Sequence, residues 1–281
     1  DETADTFAFN GGLNFNTGAA GGAASSVAAT ITATGDANFG DGGVLLTDAG
    51  ALVTTIGGNI IFGENINGAL DLTLDSGAGT IAVAGTTTVN NLVITNSGGA
   101  IFTGAVAATT DITITDTTDG TTVSFLDAVT ANDLVTTGNG YLVSMTGATN
   151  QFTADVDFLN TGNVILGNGG GDTFLFTGGL AFTGGATNNL DSAITSTNTD
   201  VNLGIGGTTL DGTTSIDTGA GAGTITFGGT LDGTQNLTLT AGAGNIDFDG
   251  AVGSGIGTEL GAILIASAGN VTADSTIEAT S

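Results

Sequence analysis

The 281-residue chain contains no lysine, arginine or histidine against 27 aspartates and glutamates, a net charge of −27. Without a cationic side chain it cannot neutralise phosphates, which sets aside nucleic acid and anionic membrane surfaces as partners. No salt bridge between side chains can form. Every carboxylate depends on water, a backbone N–H or a bound cation, and mutual repulsion opposes compaction at low ionic strength. Proteases that require Lys or Arg find no cleavage site, which suits life among secreted proteases, although a general bias toward acidic residues gives the same result. Cysteine is absent as well, which excludes a disulfide scaffold and a thiolate metal centre and is compatible with export. No run of about 18 apolar residues occurs, so no helix is expected to span a bilayer. The opening DETADTFAF has neither the basic nor the apolar region of a signal peptide, and the chain reads as a processed or excised segment.

What is present is glycine, 51 residues of it, and a repeating pattern. From Gly223 the chain runs GTITFGGTLDGTQNLTLTAGAGNIDFDGAV. A short alternating strand at Ile225 and Phe227 is followed by a Gly-Gly turn, an inward Leu231, a second alternating strand at Leu237 and Leu239, and an AGAG closure. Ile246 then begins the pattern again, 21 residues after Ile225. A period of that size marks a solenoid, propeller or array, and a propeller would need about 40 residues per blade.

Period-2 alternation with β-branched and Phe residues, punctuated by Gly, reads as strand and turn. Frequent Gly and Thr leave no useful helical window. One column of strand starts runs Ile60, Ile81, Ile101, Val123, Val143, Val164, Phe182, Val201, Ile225, Ile246, Val271. A second runs Leu72/Leu74, Leu92/Ile94, Ile112/Ile114, Leu134, Val156/Phe158, Ile216, Leu237/Leu239, Ile263/Ile265. Single apolar residues at Ile66, Val89, Val106, Val129, Leu231 and Val252 mark a third face.

The expected fold is therefore all-β, a parallel β-solenoid with about 20–22 residues per turn, and right-handed by the general crossover preference. About 12 or 13 laps spaced about 4.8 Å apart would make a rod on the order of 60 Å. Residues 1–43 fit the pattern worst, with AAGGAASS (Ala19 to Ser26) as a small-residue linker, and are expected to form an irregular N-terminal arm or cap. Residues 44–281 form the solenoid domain.

The quoted stretch GTITFGGTLDGTQNLTLTAGAGNIDF resembles the repeat regions of large bacterial exoproteins, namely filamentous-haemagglutinin-like adhesins and autotransporter passenger domains. The resemblance covers residues 44–281. It implies an exported β-solenoid at the cell surface.

Chemistry is limited to carboxylates, hydroxyls and one phenol, Tyr141. Two-carboxylate glycoside hydrolysis is the one reaction left open. Asp155/Asp157 and Asp247/Asp249 are spaced i,i+2, roughly 6.5–7 Å apart on a strand. Both pairs read as the solvent side of alternating strands, with Val156, Phe158, Ile246 and Phe248 inward. No catalytic residue is assigned, and the chain is expected not to be an enzyme.

Gly167-Asn-Gly-Gly-Gly-Asp172-Thr-Phe174 matches one copy of the nonapeptide in which Gly turns and an Asp enclose Ca²⁺ between rungs. Asp172 is thus the metal candidate. That motif works by tandem repetition, so a lone copy also reads as a Gly-rich turn; stacked Asp carboxylates offer a diffuse site for divalent cations such as Ca²⁺, and no cofactor is required. Sequons at Asn236 and Asn270 are expected by chance. A functional amyloid would use Gln ladders, and only Gln151 and Gln235 occur.

A solenoid ends in open strand edges, which monomers guard with Lys, Pro, bulges or caps. No such guard is visible. Phe7, Phe9, Leu13 and Phe15 are expected to pair with the rung of Ile263, Ile265 and Val271 in another copy, building filaments. The expected role is a structural subunit of an extracellular or cell-surface fibre. The alternatives are an adhesin rod and a calcium-dependent surface layer.

Overall fold

The structure, a computed structural model, describes residues 5–15, 24–47, 50–255 and 257–280. It divides into two units, Asp1–Val135 and Thr136–Ser281. All secondary structure among the described residues is strand, and the in-register strand pairs among them run parallel. The chain is a parallel β-solenoid of about twelve turns. Among the described residues no helix is long and apolar enough to cross a membrane.

In the first unit each turn contributes a strand to each of three sheets. One turn is made by Leu72–Asp75, Ile81–Val83 and Thr87–Val89. The next is Leu92–Asn96, Ala100–Phe102 and Val106–Ala108. Each strand lies in register on its equivalent, for example Leu72 on Leu92, Ile81 on Ala100 and Thr87 on Val106. Alternation does the rest: Leu72, Leu74, Ile81, Val83 and Val89 are buried while Thr73, Ala82 and Thr88 face outward. Aromatic rings stack from turn to turn, Phe39 on Phe62 at 4.6 Å and Phe102 on Phe125 at 5.2 Å between centroids.

The second unit repeats the plan. Ile225–Phe227, Leu231–Asp232 and Leu237–Thr240 form one turn, and Asn245–Phe248 starts the next. Ile225, Phe227, Leu237, Leu239, Ile246 and Phe248 are all buried, whereas Thr226, Thr238 and Asp247 are partly exposed on the other side. Phe158 stacks on Phe182 and Phe227 on Phe248.

Three expectations need correction. Ile101 does not point inward: it is 41% exposed, because Ala100 and Phe102 pair with Ile81 and Val83 and the Phe102 ring takes the core position. Nor does any of the three columns keep to one sheet. In the second column Leu134, Val156 and Ile216 lie in three different sheets, and the third-face residues Leu231 and Val252 belong with the sheet of Ile60 and not that of Ile66. The column of strand starts also divides in the second unit. Val143 and Val164 lie in one sheet, while Val201, Ile225, Ile246 and Val271 lie in another. The true continuation from Val164 is Asn188, Thr208 and Leu231. Two polar residues in core positions hid it from a search for apolar ones.

The N-terminal segment also differs. Asp5–Phe9 lies in register on Ala29–Ala33, Leu13–Asn14 on Ala37–Asn38, and Ser25–Val27 on Val44–Leu46. Its described residues are rungs of the same three sheets, because Phe7, Phe9, Leu13 and Val27 keep the inward alternation. Most of the AAGGAASS linker lies outside the described residues.

Candidate functional site

Asp5–Phe9 is the outermost strand of its sheet in the first unit. Leu13–Asn14 and Ser25–Val27 hold the same position in the other two. Among the described residues no rung lies above their inward side chains. Phe7 is 52% exposed and Phe15 40%. They rim an open cavity of about 610 Å³ floored by Leu13, Val27, Ala29 and Ile31. Phe15 stacks on Phe39 at 5.7 Å, so among the described residues the ring ladder of this unit ends at the edge with Phe15.

The second unit has an edge of its own in Ile263–Ser267, Asn270–Ala273 and the bridge residue Ile277. Ile263 and Ile265 sit on Leu237 and Leu239, Val271 on Ile246, Ala273 on Phe248 and Ile277 on Val252. The residues beneath are buried, but Val271 and Ile277 are 42% and 46% exposed. The assembly residues named from sequence thus fall into two groups, Phe7, Phe9, Leu13 and Phe15 at one edge and Ile263, Ile265 and Val271 at the other.

Along the sides, Asn and Thr do what cations do elsewhere. Asp36 accepts the Asn59 N–H at 2.7 Å, and the Asn59 side-chain oxygen accepts the Thr80 N–H one turn further at 2.9 Å. Asp157 accepts from the Thr183 N–H and hydroxyl, at 3.0 and 2.6 Å, and Asp200 from the Thr224 N–H at 2.8 Å. Asp71 accepts both the Asn90 and Asn91 side-chain amides at 2.7 Å, and these bonds hold its carboxyl below the ordinary value. These ladders were not anticipated. The signal was there, as Asn, Asp and Thr recurring 19–26 residues apart at the corners.

Asp172 is buried, and its carboxylate accepts the Asn168 N–H at 2.9 Å while its own N–H donates to the Gly169 carbonyl at 3.0 Å. It closes the Gly-rich loop on itself. Asp191 on the following turn is pushed upward in pKa, first by burial and then by the like charges of Asp172 and Asp211. Among the described residues no three acidic groups converge in a metal-holding arrangement.

The two acid pairs are not alike in surroundings. Asp157 is held by Thr183, while Asp155 borders a side groove of about 480 Å³ with Gly179, Asn198 and Asp200. Asp247 accepts the Thr272 hydroxyl and Asp249 is exposed. The Asn236 side-chain oxygen of the first sequon accepts the Ala262 N–H at 2.8 Å, and Asn270 of the second lies on the exposed edge strand.

Fold and edges together define a parallel β-solenoid that, among the described residues, leaves an apolar rung uncovered at each of two sheet edges. No protein-family model, curated protein or solved structure matches the chain.

Proposed function

We propose that the chain is a non-enzymatic structural module of the cell exterior, a β-solenoid subunit of a surface fibre, filament or matrix that assembles head to tail. The supporting observation is the exposure of core-type side chains at the two rung edges, Phe7 and Phe15 at one and Ile265, Val271 and Ile277 at the other. A parallel stack has a direction, so each edge accepts only a strand running the same way and in the register that keeps apolar side chains inward. The rung of Ile263, Ile265, Val271 and Ile277 has that direction and that pattern. The contact joins unlike surfaces and therefore propagates into a filament. The resemblance to repeat regions of bacterial exoproteins supports the extracellular setting.

Full burial of an aliphatic or aromatic side chain contributes roughly 1.5–3 kcal/mol, so covering these five half-exposed ones contributes on the order of 5 kcal/mol. Strand pairing across three sheets adds to this. Association itself costs about 4–15 kcal/mol. The balance places the joint in a weak, concentration-dependent regime.

Sedimentation velocity and negative-stain microscopy of the full chain over a concentration series test this. The expected result is unbranched filaments one subunit wide, insensitive to chelator. The double change Ile265→Asp and Val271→Asp should leave folded monomers. A full chain that stays monomeric at high micromolar concentration overturns the filament reading and favours an adhesin rod.

A further inference from the structure

The uncovered rung of the first unit contains one residue that breaks the core pattern. Asp5 stands in register with Ala29, and Phe7 and Phe9 with Ile31 and Ala33. All three partners are buried, so alternation puts Asp5 on the inward side of its strand, and it lines the same open cavity as Phe7 and Phe9. Down the sheet this inward column continues as Ala51, Leu72, Leu92, Ile112 and Leu134, every one of them buried. At the edge Asp5 is exposed to water. A rung seated on that edge would bury it among Phe and Ala side chains.

We propose that the head-to-tail joint takes up a proton at Asp5, so that acid strengthens assembly. This rests on the filament reading above. The adjoining described strands, Leu13–Asn14, Ser25–Val27 and Ala29–Ala33, carry no ionisable side chain. The incoming rung brings Asp274 and Glu278, which are also acidic. With no Lys, Arg or His in either copy, no cationic side chain can offset a buried Asp5 carboxylate, and a desolvated acid without a counter-charge takes up a proton instead. The joined state then holds one more proton than the separated copies. Association tightens as pH falls and weakens as it rises, by at most tenfold per pH unit for a single group.

The test is the dissociation constant of the full chain, from sedimentation at fixed ionic strength with chelator present, between about pH 7 and about pH 5, above the ordinary carboxylate range near 4. Asp5→Asn is compared with Asp127→Asn, which makes the same change in net charge at an exposed corner of the same unit. Far-UV circular dichroism confirms that both fold. Wild type and Asp127→Asn should tighten several-fold to tenfold per unit on acidification, while Asp5→Asn should associate tightly at about pH 7 with a nearly flat profile. If Asp5→Asn keeps the wild-type slope, or Asp127→Asn flattens it equally, the Asp5 proposal is overturned and head-to-tail assembly stands. If wild type and Asp5→Asn are both monomeric throughout, the assembly reading falls and this proposal with it.

Discussion

Replacing Ile246 by aspartate tests the register of the second unit more sharply than any truncation. Ile246 is fully buried, with Ile225 on one side and Val271 on the other. Losing the isoleucine removes about 2–3 kcal/mol of apolar burial. The new carboxyl then lies in a core with no base to pair with, and a fully buried acid is pushed up by as much as 3–5 pH units. At pH 7 holding it protonated costs about 3 units at about 1.4 kcal/mol each, so roughly 4 kcal/mol more. The total is on the order of 6 kcal/mol at pH 7, against about 3 at pH 4, where the folded acid is protonated and the unfolded one about half so. The folded form binds the extra proton, so the variant loses stability as pH rises.

Tyr141 gives a local readout in the same unit. It is the chain's sole tyrosine, there is no tryptophan, and it is buried with its hydroxyl oxygen accepting the Thr137 N–H at 2.8 Å. Denaturant titrations followed by its fluorescence and by far-UV circular dichroism should show Ile246→Asp strongly destabilised at pH 7 and partly rescued toward pH 4. Ile246→Asn should be destabilised without that rescue. Asp247→Asn, one residue along, should change stability by less than about 1 kcal/mol. Equal losses at 246 and 247 would refute the inward and outward assignment.

With 27 acids and no bases, the melting temperature should rise with NaCl and more steeply with CaCl₂, through screening and preferential binding to the folded state. If Asp172 holds a specific ion, Asp172→Asn removes the part of the Ca²⁺ effect that saturates at low concentration, and an unchanged titration leaves Asp172 with loop closure alone. Asp71, held below its ordinary pKa by Asn90 and Asn91, adds stability that is present above the unfolded value and is lost as pH falls through the folded one. An Asp71→Asn variant should therefore show a shallower acid denaturation curve than wild type. A Cβ at Gly79 would strike the Gly58 carbonyl of the neighbouring turn, whereas at Gly170 it would meet open space. Calorimetry should find Gly79→Ala destabilised by about 1–3 kcal/mol and Gly170→Ala nearly neutral.

The fold was legible because a solenoid writes its core into sequence locally. Each strand needs only alternating apolar residues and many corners a Gly, and both recur within a turn, as at Ile225 to Ile246. The register was legible only where the core is apolar without a break. Asn188 is buried with its side-chain N–H donating to the Leu203 carbonyl at 3.0 Å, and Thr208 stacks above it. A pattern defined by hydrophobicity loses the column there and moves to a neighbouring face. Ile101 misled for the opposite reason, since an exposed isoleucine between Ala100 and Phe102 looks more core-like than the alanine that replaces it inside. The edge residues Phe7 and Val271 could be named from alternation alone. Their exposure could not, because it depends on which strand has a neighbour on both sides.

On the proposed reading, the same composition that weakens the subunit gives its assembly a direction. The side-chain ladders fix Asp36, Asp71, Asp157 and Asp200 on the corners, where they hold on to neighbouring turns. Two copies approaching side by side bring carboxylates toward carboxylates with no base to offset them, and like charges at about 5 Å repel by about 1 kcal/mol even in water. Edge to edge, copies meet through Phe7, Phe15, Ile265, Val271 and Ile277, with Asp5, Asp274 and Glu278 as the acids at the joint. Salt should therefore act differently on the two kinds of contact. Modest NaCl that screens the sides should thicken filaments into bundles before it changes their length distribution. Microscopy of grids prepared across a salt series measures both, and filaments that lengthen with salt without bundling would show that repulsion at the joint, and not along the sides, limits assembly.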